Sequence, residues 1–344
     1  MEKFLCSIVK KPGDIIITEM EITDCLVGEA LIKVDFAAIC GTDMHIYEDK
    51  YPAQLPKIIG HECSGEIAEI NEPYGDNSGL KKGDKVVVQP FLSCGYCDAC
   101  ITGHTNVCVN QKFFGTKTDG CFSQYIKVPI DKLFKLPTNI TPRTACMAEP
   151  LAVGVHAVRE SGFMVGETAL VMGAGPIGLI IAIVLKAAGA TNIVLTEVNP
   201  YRLNFANKLG FTVINPLEEN ASTELINANN GSRYHKIFEA TAAASSYKLM
   251  FDMIKARGVI MLIGLTSTQN PFNTSAAVFQ EATIRAIRIH SMDSFRFAVK
   301  LLGSGNVNAA VETLITNEFQ FTKVKEALEF AINDQEHMKV VLKF

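Results

Sequence analysis

The spacing of hydrophobic and polar positions changes along the chain. Up to about residue 150, short alternating or β-branched runs are separated by Gly, Pro and Asn, which is typical of β-strands joined by turns. From Gly166 to about Ile289, strand-like runs alternate with helix-like runs. This alternation predicts βαβ units and a parallel sheet with helices on both faces.

These patterns predict individual elements. In the first part, strands are expected at Asp14–Glu19, Glu29–Val34, Gly65–Ile70 and Lys85–Gln89. In the second part, they are expected at Thr168–Met172, Asn192–Thr196, Lys236–Glu239, Val259–Ile263 and Ile284–Ile289. After about Ser291 come two amphipathic helices, Phe295–Leu302 and Thr322–Asn333, and a last strand, KVVLKF. We therefore predict two domains, residues 1–153 with 291–344 and residues 154–290.

The segment Ala169–Ala190 is apolar enough to be mistaken for a membrane span. Three glycines and a proline near its start, followed by Lys186, indicate instead a strand, a turn and a helix of a soluble domain. The turn, GAGPIG at Gly173–Gly178, has the form of the dinucleotide fingerprint. Gly173 allows a tight turn, Gly175 lets a pyrophosphate approach, and Gly178 permits close helix–strand contact.

Further coenzyme contacts are expected on both sides of this turn, at Pro176, Ile177 and Ile263. Glu197 follows the second strand-like run, where a carboxylate accepts hydrogen bonds from a ribose and repels a 2′-phosphate. This arrangement favours NAD. Arg202 lies nearby, and it is equally suited to stack on adenine or to pair with a phosphate, so NADP stays open as the alternative.

Four cysteines, Cys94, Cys97, Cys100 and Cys108, lie within fifteen positions. Disulfides and a metal are the two explanations for such density. Four thiolates around one zinc leave no place for substrate, which makes such a site structural.

Composition narrows the class of protein. The 344 residues carry a net charge of −4, with no block of Lys or Arg, so no nucleic-acid or other polyanion partner is expected. The first residues hold an apolar run that is too short for a signal peptide. Together with ten cysteines, this predicts a reducing compartment, the cytoplasm, where clustered cysteines more often bind metal than form disulfides.

A second group of candidate ligands is scattered along the chain. Cys40 lies in ICGTDMH, His61 and Glu62 lie in IIGHECSGE, and Glu149 lies in MAEPLA. One thiolate, one imidazole and one carboxylate with a fourth position left open are characteristic of catalytic zinc. Sequence spacing alone does not bring these residues together.

In this order, the motifs CGTDxxH, GHE, the four-cysteine lobe, EP and GxGxxG resemble the zinc-dependent medium-chain dehydrogenase/reductase family over essentially the whole chain. CGTDMHIYE and GHECSGE look most like its polyol (sorbitol), threonine and butanediol dehydrogenase branch. The resemblance implies an α/β protein with a GroES-like β-rich catalytic domain, a doubly wound Rossmann domain for NAD, and an active site in the cleft.

By the same resemblance, Cys40, His61 and Glu62 occupy catalytic-zinc positions. Glu149 then lies beside the metal, either holding its water or exchanging with Glu62 as a ligand. Thr42 takes the proton of the alcohol, which passes through the coenzyme ribose to His45. Asp43 orients the zinc-bound histidine.

The function implied is reversible NAD-linked oxidation of a secondary alcohol by a homotetramer with two zinc ions per chain. A polyol is the leading small-molecule substrate. Threonine, a vicinal diol or a polyol phosphate is the alternative, with Arg285 and Arg288 as candidates for the phosphate. Ile46, Tyr47 and Phe114 are our expectation for the substrate pocket. A non-catalytic, NAD-binding zinc sensor and a zinc-free quinone reductase are the alternatives from other classes. No membrane association is expected.

Overall fold

The computed structural model describes residues 3–73, 78–266, 270 and 272–344. The chain divides into two compact units, Met1–Glu149 with Ser291–Phe344, and Pro150–His290. Each unit has its own hydrophobic core.

The N-terminal part of the chain is dominated by strands. They are β1 (Lys3–Lys11), β2 (Asp14–Glu21), β3 (Glu29–Ala38), β4 (Glu62–Asn71), β5 (Lys85–Val88), β6 (Phe91–Leu92), β7 (Lys112–Phe113), β8 (Tyr125–Pro129) and β9 (Leu133–Lys135). Its helices are α1 (Gly41–Tyr47), α2 (Asp98–Ile101) and α3 (Pro142–Ala145), with 3₁₀ turns at Thr105–Val107 and Ile130–Lys132.

The middle of the chain alternates strands and helices. The helices are α4 (Ala148–Glu160), α5 (Pro176–Ala187), α6 (Pro200–Lys208), α7 (Ala221–Ala228), α8 (Ala244–Met253) and α9 (Thr274–Phe279). The strands are β10 (Thr168–Met172), β11 (Asn192–Thr196), β12 (Thr212–Ile214), β13 (Tyr234–Glu239), β14 (Ile254–Leu262) and β15 (Thr283–Ala286).

The last part of the chain returns to the first unit. It contains α10 (Met292–Leu302), α11 (Gly305–Thr313), β16 (Ile315–Gln320), a 3₁₀ turn (Phe321–Lys323), α12 (Val324–Asn333) and β17 (Lys339–Lys343). In the seven-stranded sheet the order is β16-β17-β3-β4-β5-β9, with β8 paired to β3. Because β17 pairs antiparallel with β3, residues from opposite ends of the chain are neighbours in one sheet.

The second unit contains the parallel sheet that the sequence predicts. Its six strands run in the order β12-β11-β10-β13-β14-β15, and every pairing is parallel. The connections move outwards from β10 to β12 and then return to β13 on the other side of β10. In sheets of this kind ligands bind at the carboxyl ends of the strands where the order reverses, so the ends of β10 and β13 are the expected coenzyme edge.

Helix α5 explains the membrane-like segment. Every residue from Gly178 to Leu185 is buried, so the helix is apolar on nearly all sides because protein surrounds it. None of the helices among the described residues combines the length and the apolar character needed to cross a bilayer.

The structure departs from the predicted elements at several places. The first part holds three short helices where the pattern showed few. Helix α11 was not predicted, although Val307, Ala310 and Val311 have helical spacing. The strand expected to end at Ile289 ends at Ala286, and Ile289 itself has a positive φ of 54°, which is incompatible with a continuing strand.

Candidate functional site

The four-cysteine lobe is a compact cluster of sulfur atoms. The Sγ–Sγ distances are 3.5 Å for Cys97–Cys100 and for Cys94–Cys108, 3.8 Å for Cys97–Cys108 and 4.0 Å for Cys94–Cys100. Sulfur atoms bound tetrahedrally to one zinc at roughly 2.3 Å lie about 3.8 Å apart. All four cysteines are free thiols. The donor set therefore fits a closed, four-coordinate zinc site.

The second group of candidate ligands converges as well. One ligand atom each from Cys40, His61 and Glu62 lies within 4.8 Å of the others. Cys40 directly precedes α1, and Glu62 opens β4. His61 and Glu62 are 4% and 1% exposed, whereas Cys40 is half-buried. A thiolate, an imidazole and a carboxylate in this arrangement fit a three-ligand zinc centre.

Asp43 joins the two segments that carry these ligands. Its carboxylate is fully buried, and its Oδ2 accepts a hydrogen bond from the Cys40 amide at 2.9 Å. Its Oδ1 accepts from the Gly60 amide at 3.0 Å and lies 3.7 Å from His61 Nδ1. One side chain thus fixes the backbone beside Cys40 and beside His61.

Two constraints require a glycine at position 60, directly before His61. Its φ is 92°, and a Cβ at this position would lie 2.2 Å from the ring of Phe122. Any side chain here would displace the loop that presents His61. The His61 ring also packs edge-on against Phe113, with ring centroids 4.9 Å apart.

The metal-ligand group lies in strongly negative surroundings. Burial lowers the pKa of His61, but Asp43 first, then Cys40 and Glu149, raise it well above its ordinary value. Glu149, at the start of α4, is 6% exposed. It is not part of the 4.8 Å group that the described residues form. Such an accumulation of anionic groups favours a cation in their midst.

Lys339 supplies a positive charge that the sequence analysis missed. Its Nζ lies 2.8 Å from Glu62 Oε1 and 2.6 Å from Oε2, and it is 6% exposed. Burial lowers the pKa of Lys339, but the Glu62 carboxylate, followed by Cys40, raises it above its ordinary value. Lys339 opens the last strand as one of two lysines flanking VVL, and nothing in that pattern distinguishes it from the exposed Lys343.

Thr42 and His45 both lie on α1, three residues apart, so they share one side of the helix. Thr42 is half-buried, and its Oγ1 lies 3.9 Å from Cys40 Sγ. His45 is exposed. The pair therefore leads from the candidate metal ligand towards solvent.

The glycine-rich turn has the geometry expected of a dinucleotide site. Gly173 follows β10 with a φ of 96°. Gly175 caps α5, and Pro176 and Ile177 begin the helix. A Cβ at Gly178 would lie 1.9 Å from the Gly173 carbonyl oxygen, so only glycine lets the helix approach the turn this closely. The amides of the α5 N-terminus are available to phosphate groups.

The remaining predicted coenzyme residues lie at the same edge of the sheet as this turn. Glu197 directly follows β11, and its Oε2 accepts a hydrogen bond from the Ala174 amide at 2.9 Å. The guanidinium of Arg202 lies 3.6 Å from where a Gly175 Cβ would be. Ile263 follows β14, and its amide donates to the Glu239 carbonyl at 2.9 Å. The structure thus brings the nucleotide residues of the second unit to one edge of its sheet.

Comparison with known proteins shows the family of the chain. Residues 27–138 match the family model described as alcohol dehydrogenase GroES-like domain, and residues 176–304 match the model described as zinc-binding dehydrogenase. The chain is 36% identical to L-threonine 3-dehydrogenase of Pyrococcus furiosus, over 88% of this chain and 87% of that protein. The chain belongs to the zinc-dependent medium-chain dehydrogenase/reductase family.

Other members of the family cover nearly all of the chain. Sorbitol dehydrogenase of Bacillus subtilis is 31% identical over 98% of this chain and 96% of that protein. A crystal structure described as a short chain alcohol dehydrogenase from Escherichia coli, complexed with NADH, has a TM-score of 0.91, with 31% identity and 99% coverage of both chains. The α/β fold class and the enzyme class expected from the motifs are thereby confirmed: the chain is a zinc-containing dehydrogenase of the alcohol dehydrogenase type.

Two expectations about substrate contacts are not supported by the positions of the residues. Ile46, Tyr47 and Phe114 are 1%, 6% and 5% exposed and belong to the hydrophobic core of the first unit. The Tyr47 hydroxyl donates to the Gly13 carbonyl at 3.0 Å. Arg285 is engaged with Glu160, whose backbone oxygen and carboxylate lie 2.7 Å and 3.1 Å away. These side chains pack or pair within their own units. The sequence could not show this, because neither the burial of a residue nor the carboxylate near it can be read from spacing.

Replacing Cys97 by Ser is expected to abolish metal binding in the lobe, since a hydroxyl is a poor substitute for a thiolate. Zinc per chain should fall by one, and the melting temperature should fall by roughly 5 °C or more. Metal analysis and calorimetry provide the measurement. Cys146→Ser is the control, because Cys146 is buried outside the metal groups. Unchanged zinc content in Cys97→Ser would contradict the assignment.

Replacing Gly178 by Ala is expected to push α5 away from the glycine-rich turn. Overpacking of this kind typically costs about 1–3 kcal/mol, and affinity for NADH should fall at least about tenfold, that is by about 1.4 kcal/mol. Fluorescence titration with NADH measures the affinity. Gly305→Ala serves as the control, since a Cβ there meets nothing within 4 Å. Wild-type affinity in Gly178→Ala would show that the turn does not hold the coenzyme.

Proposed function

We propose that the protein catalyses the reversible, NAD-linked oxidation of a secondary alcohol, with a polyol as the leading substrate. The observation that carries this proposal is the convergence of Cys40, His61 and Glu62 within 4.8 Å in a chain that also holds a complete glycine-rich nucleotide turn. A purely structural metal site is already provided by the four-cysteine lobe. A second set that provides only three ligands suits catalysis rather than stabilisation of the fold.

Cys40, His61 and Glu62 are the residues that would hold the catalytic zinc, with Glu149 beside it. Zinc bound there would supply Lewis-acid activation of the substrate hydroxyl. Cys94, Cys97, Cys100 and Cys108 would hold the second zinc, giving two ions per chain. Asp43 supports the catalytic set by fixing the backbone at Cys40 and Gly60, and by facing His61 it keeps the imidazole in place.

Oxidation removes two hydrogens from the alcohol, a hydride to the nicotinamide and a proton to solvent. Thr42 is the group placed to receive the proton, because its hydroxyl is beside Cys40 and both donates and accepts hydrogen bonds. His45, exposed on the same side of α1, is placed to pass it on, since an imidazole has two nitrogens that donate and accept hydrogen bonds.

NAD is the favoured coenzyme because Glu197 places a carboxylate at the nucleotide turn. Its Oε2 is 2.9 Å from the Ala174 amide within the glycine-rich motif, and its Oε1 accepts from the amides of Val198 and Asn199. These hydrogen bonds hold the negative charge where a 2′-phosphate would otherwise lie. Arg202 is well placed to contact the adenosine.

Relatives define the range of substrates. Proteins similar to this chain are named sorbitol dehydrogenase, L-galactonate-5-dehydrogenase and L-threonine 3-dehydrogenase. All three act on a hydroxyl group of a small polar molecule. A polyol is the leading candidate, and threonine is the second because the Pyrococcus furiosus relative carries that activity in its name.

We propose a homotetramer that works in the cytoplasm. Strand β15 is at one end of the six-stranded sheet, and Val278 and Phe279, just before it, are 75% and 88% exposed. An edge strand beside exposed apolar side chains favours pairing with a second copy. None of the ten cysteines forms a disulfide, which suits a reducing compartment.

Replacing Thr42 by Val keeps the shape of the side chain and removes its hydroxyl. Turnover should fall about 10²- to 10⁴-fold, the range expected for loss of a proton-transfer group. Steady-state kinetics and zinc analysis measure the effect together. Thr42→Ser should restore most of the activity, and Thr313→Val, on an exposed helix end, should behave as wild type. Full turnover in Thr42→Val would refute the relay.

The function itself is tested by following NADH absorbance with sorbitol, 2,3-butanediol, L-threonine and a polyol phosphate, each with NAD and with NADP. We expect turnover with NAD and at least one secondary alcohol, and loss of that turnover in His61→Ala. A zinc-bound protein that binds NADH but oxidises none of these alcohols would favour a sensor instead.

A further inference from the structure

Lys339 and Glu62 meet across a strand. Ala38 of β3 is paired with Glu62 of β4 on one side and with Val341 of β17 on the other. Directly opposed residues on paired strands point to the same face of a sheet, and so do residues two positions apart on one strand. Lys339, two residues before Val341, therefore shares a face with Glu62, and the small Ala38 side chain leaves room for the two to meet.

The contact uses both oxygens of Glu62. Lys339 Nζ lies 2.8 Å from Oε1 and 2.6 Å from Oε2, and the two side chains are 7% and 1% exposed. A buried ion pair is rarely a net gain in stability over apolar packing, because both ions lose their hydration. The pairing of a candidate metal ligand with a buried cation therefore points to a role in the site.

Lys339 also affects the charge of the metal site. Cys40 as a thiolate, Asp43, Glu62 and Glu149 bring four negative charges, which exceed the two positive charges of a zinc ion. Lys339 offsets one of the two negative charges that remain. The ammonium and the metal are two cations that attract the same carboxylate, so the position of Glu62 depends on the balance between them.

We propose that Lys339 is a positioning residue that holds Glu62 as a weak, displaceable ligand and so keeps a metal coordination position accessible to the substrate. This inference rests on the proposed function, since it assumes that Cys40, His61 and Glu62 bind zinc. Without Lys339, both oxygens of Glu62 are released to the metal, and the second oxygen takes the position that the alcohol needs.

The test compares Lys339→Met with wild type in two measurements. In the first, a chelator removes the zinc of the Cys40 site and its release is timed. We expect release at least about tenfold slower in Lys339→Met, the lower end of effects produced by groups that orient metal ligands. In the second, turnover falls at least tenfold. Lys339→Arg should restore both, and Lys343→Met, which removes an exposed lysine from the same strand, should change neither.

The direction of the change in zinc release shows whether Lys339 positions Glu62 or only stabilises the structure. If Lys339 only stabilises the fold or the ligand geometry, its loss leaves zinc release unchanged or makes it faster, and either outcome overturns the proposal. Lys339→Gln removes the charge and keeps a polar side chain, which covers the case in which Lys339→Met does not fold. It should also release zinc more slowly than wild type, and unchanged or faster release would refute the proposal.

The two proposals fail in different ways. A wild-type protein that carries only one zinc, or no chelator-sensitive zinc, contradicts the proposed function before the variants are compared. Two zinc ions, alcohol-dependent turnover and an unchanged release rate in Lys339→Met contradict the role of Lys339 alone.

Discussion

The buried carboxylate of Asp43 is the contact on which the candidate active site depends. It accepts hydrogen bonds from the Cys40 and Gly60 amides and faces His61, so two segments twenty residues apart keep one fixed separation. Hydrogen bonds to a charged group typically contribute about 1.5–3 kcal/mol each. Removing this carboxylate would leave two backbone donors unpaired and the ligand side chains without a common anchor.

Electrostatics distinguish the two metal-ligand groups. The four-cysteine lobe offers a complete tetrahedral shell and orders a segment that contains little regular structure. The Cys40 group is smaller and is surrounded by further charges, Asp43, Glu149 and Lys339. Buried charges that are incompletely balanced are typical of sites that bind and convert ligands. Within a single unit, the closed lobe therefore suits a structural role, and the incomplete centre suits a catalytic one.

Residue spacing predicted much of the molecule. The GAGPIG turn, the alternation of strands and helices and the cysteine cluster are local patterns, so their structures followed directly from the sequence. Lys339 could not be found in this way, because it approaches Glu62 only through the pairing of β17 with β3. Helix α11 was missed although Val307 and Val311 have helical spacing, because its first turn contains Gly305, Asn306 and Asn308, which are poor helix formers. The assignment of Ile46, Tyr47 and Phe114 to a substrate pocket was not supported, since apolar residues near a motif are indistinguishable from core residues by sequence.

The central claim is that Cys40, His61 and Glu62 bind a metal ion that retains one position for a non-protein ligand. Anomalous scattering from crystals of the purified protein, recorded above and below the zinc edge, tests it directly. The account predicts two peaks per chain, one among the four cysteines and one among Cys40, His61 and Glu62 with a water or alcohol oxygen as the remaining ligand. A single peak in the cysteine lobe, or a second ion enclosed by four side chains, would contradict it.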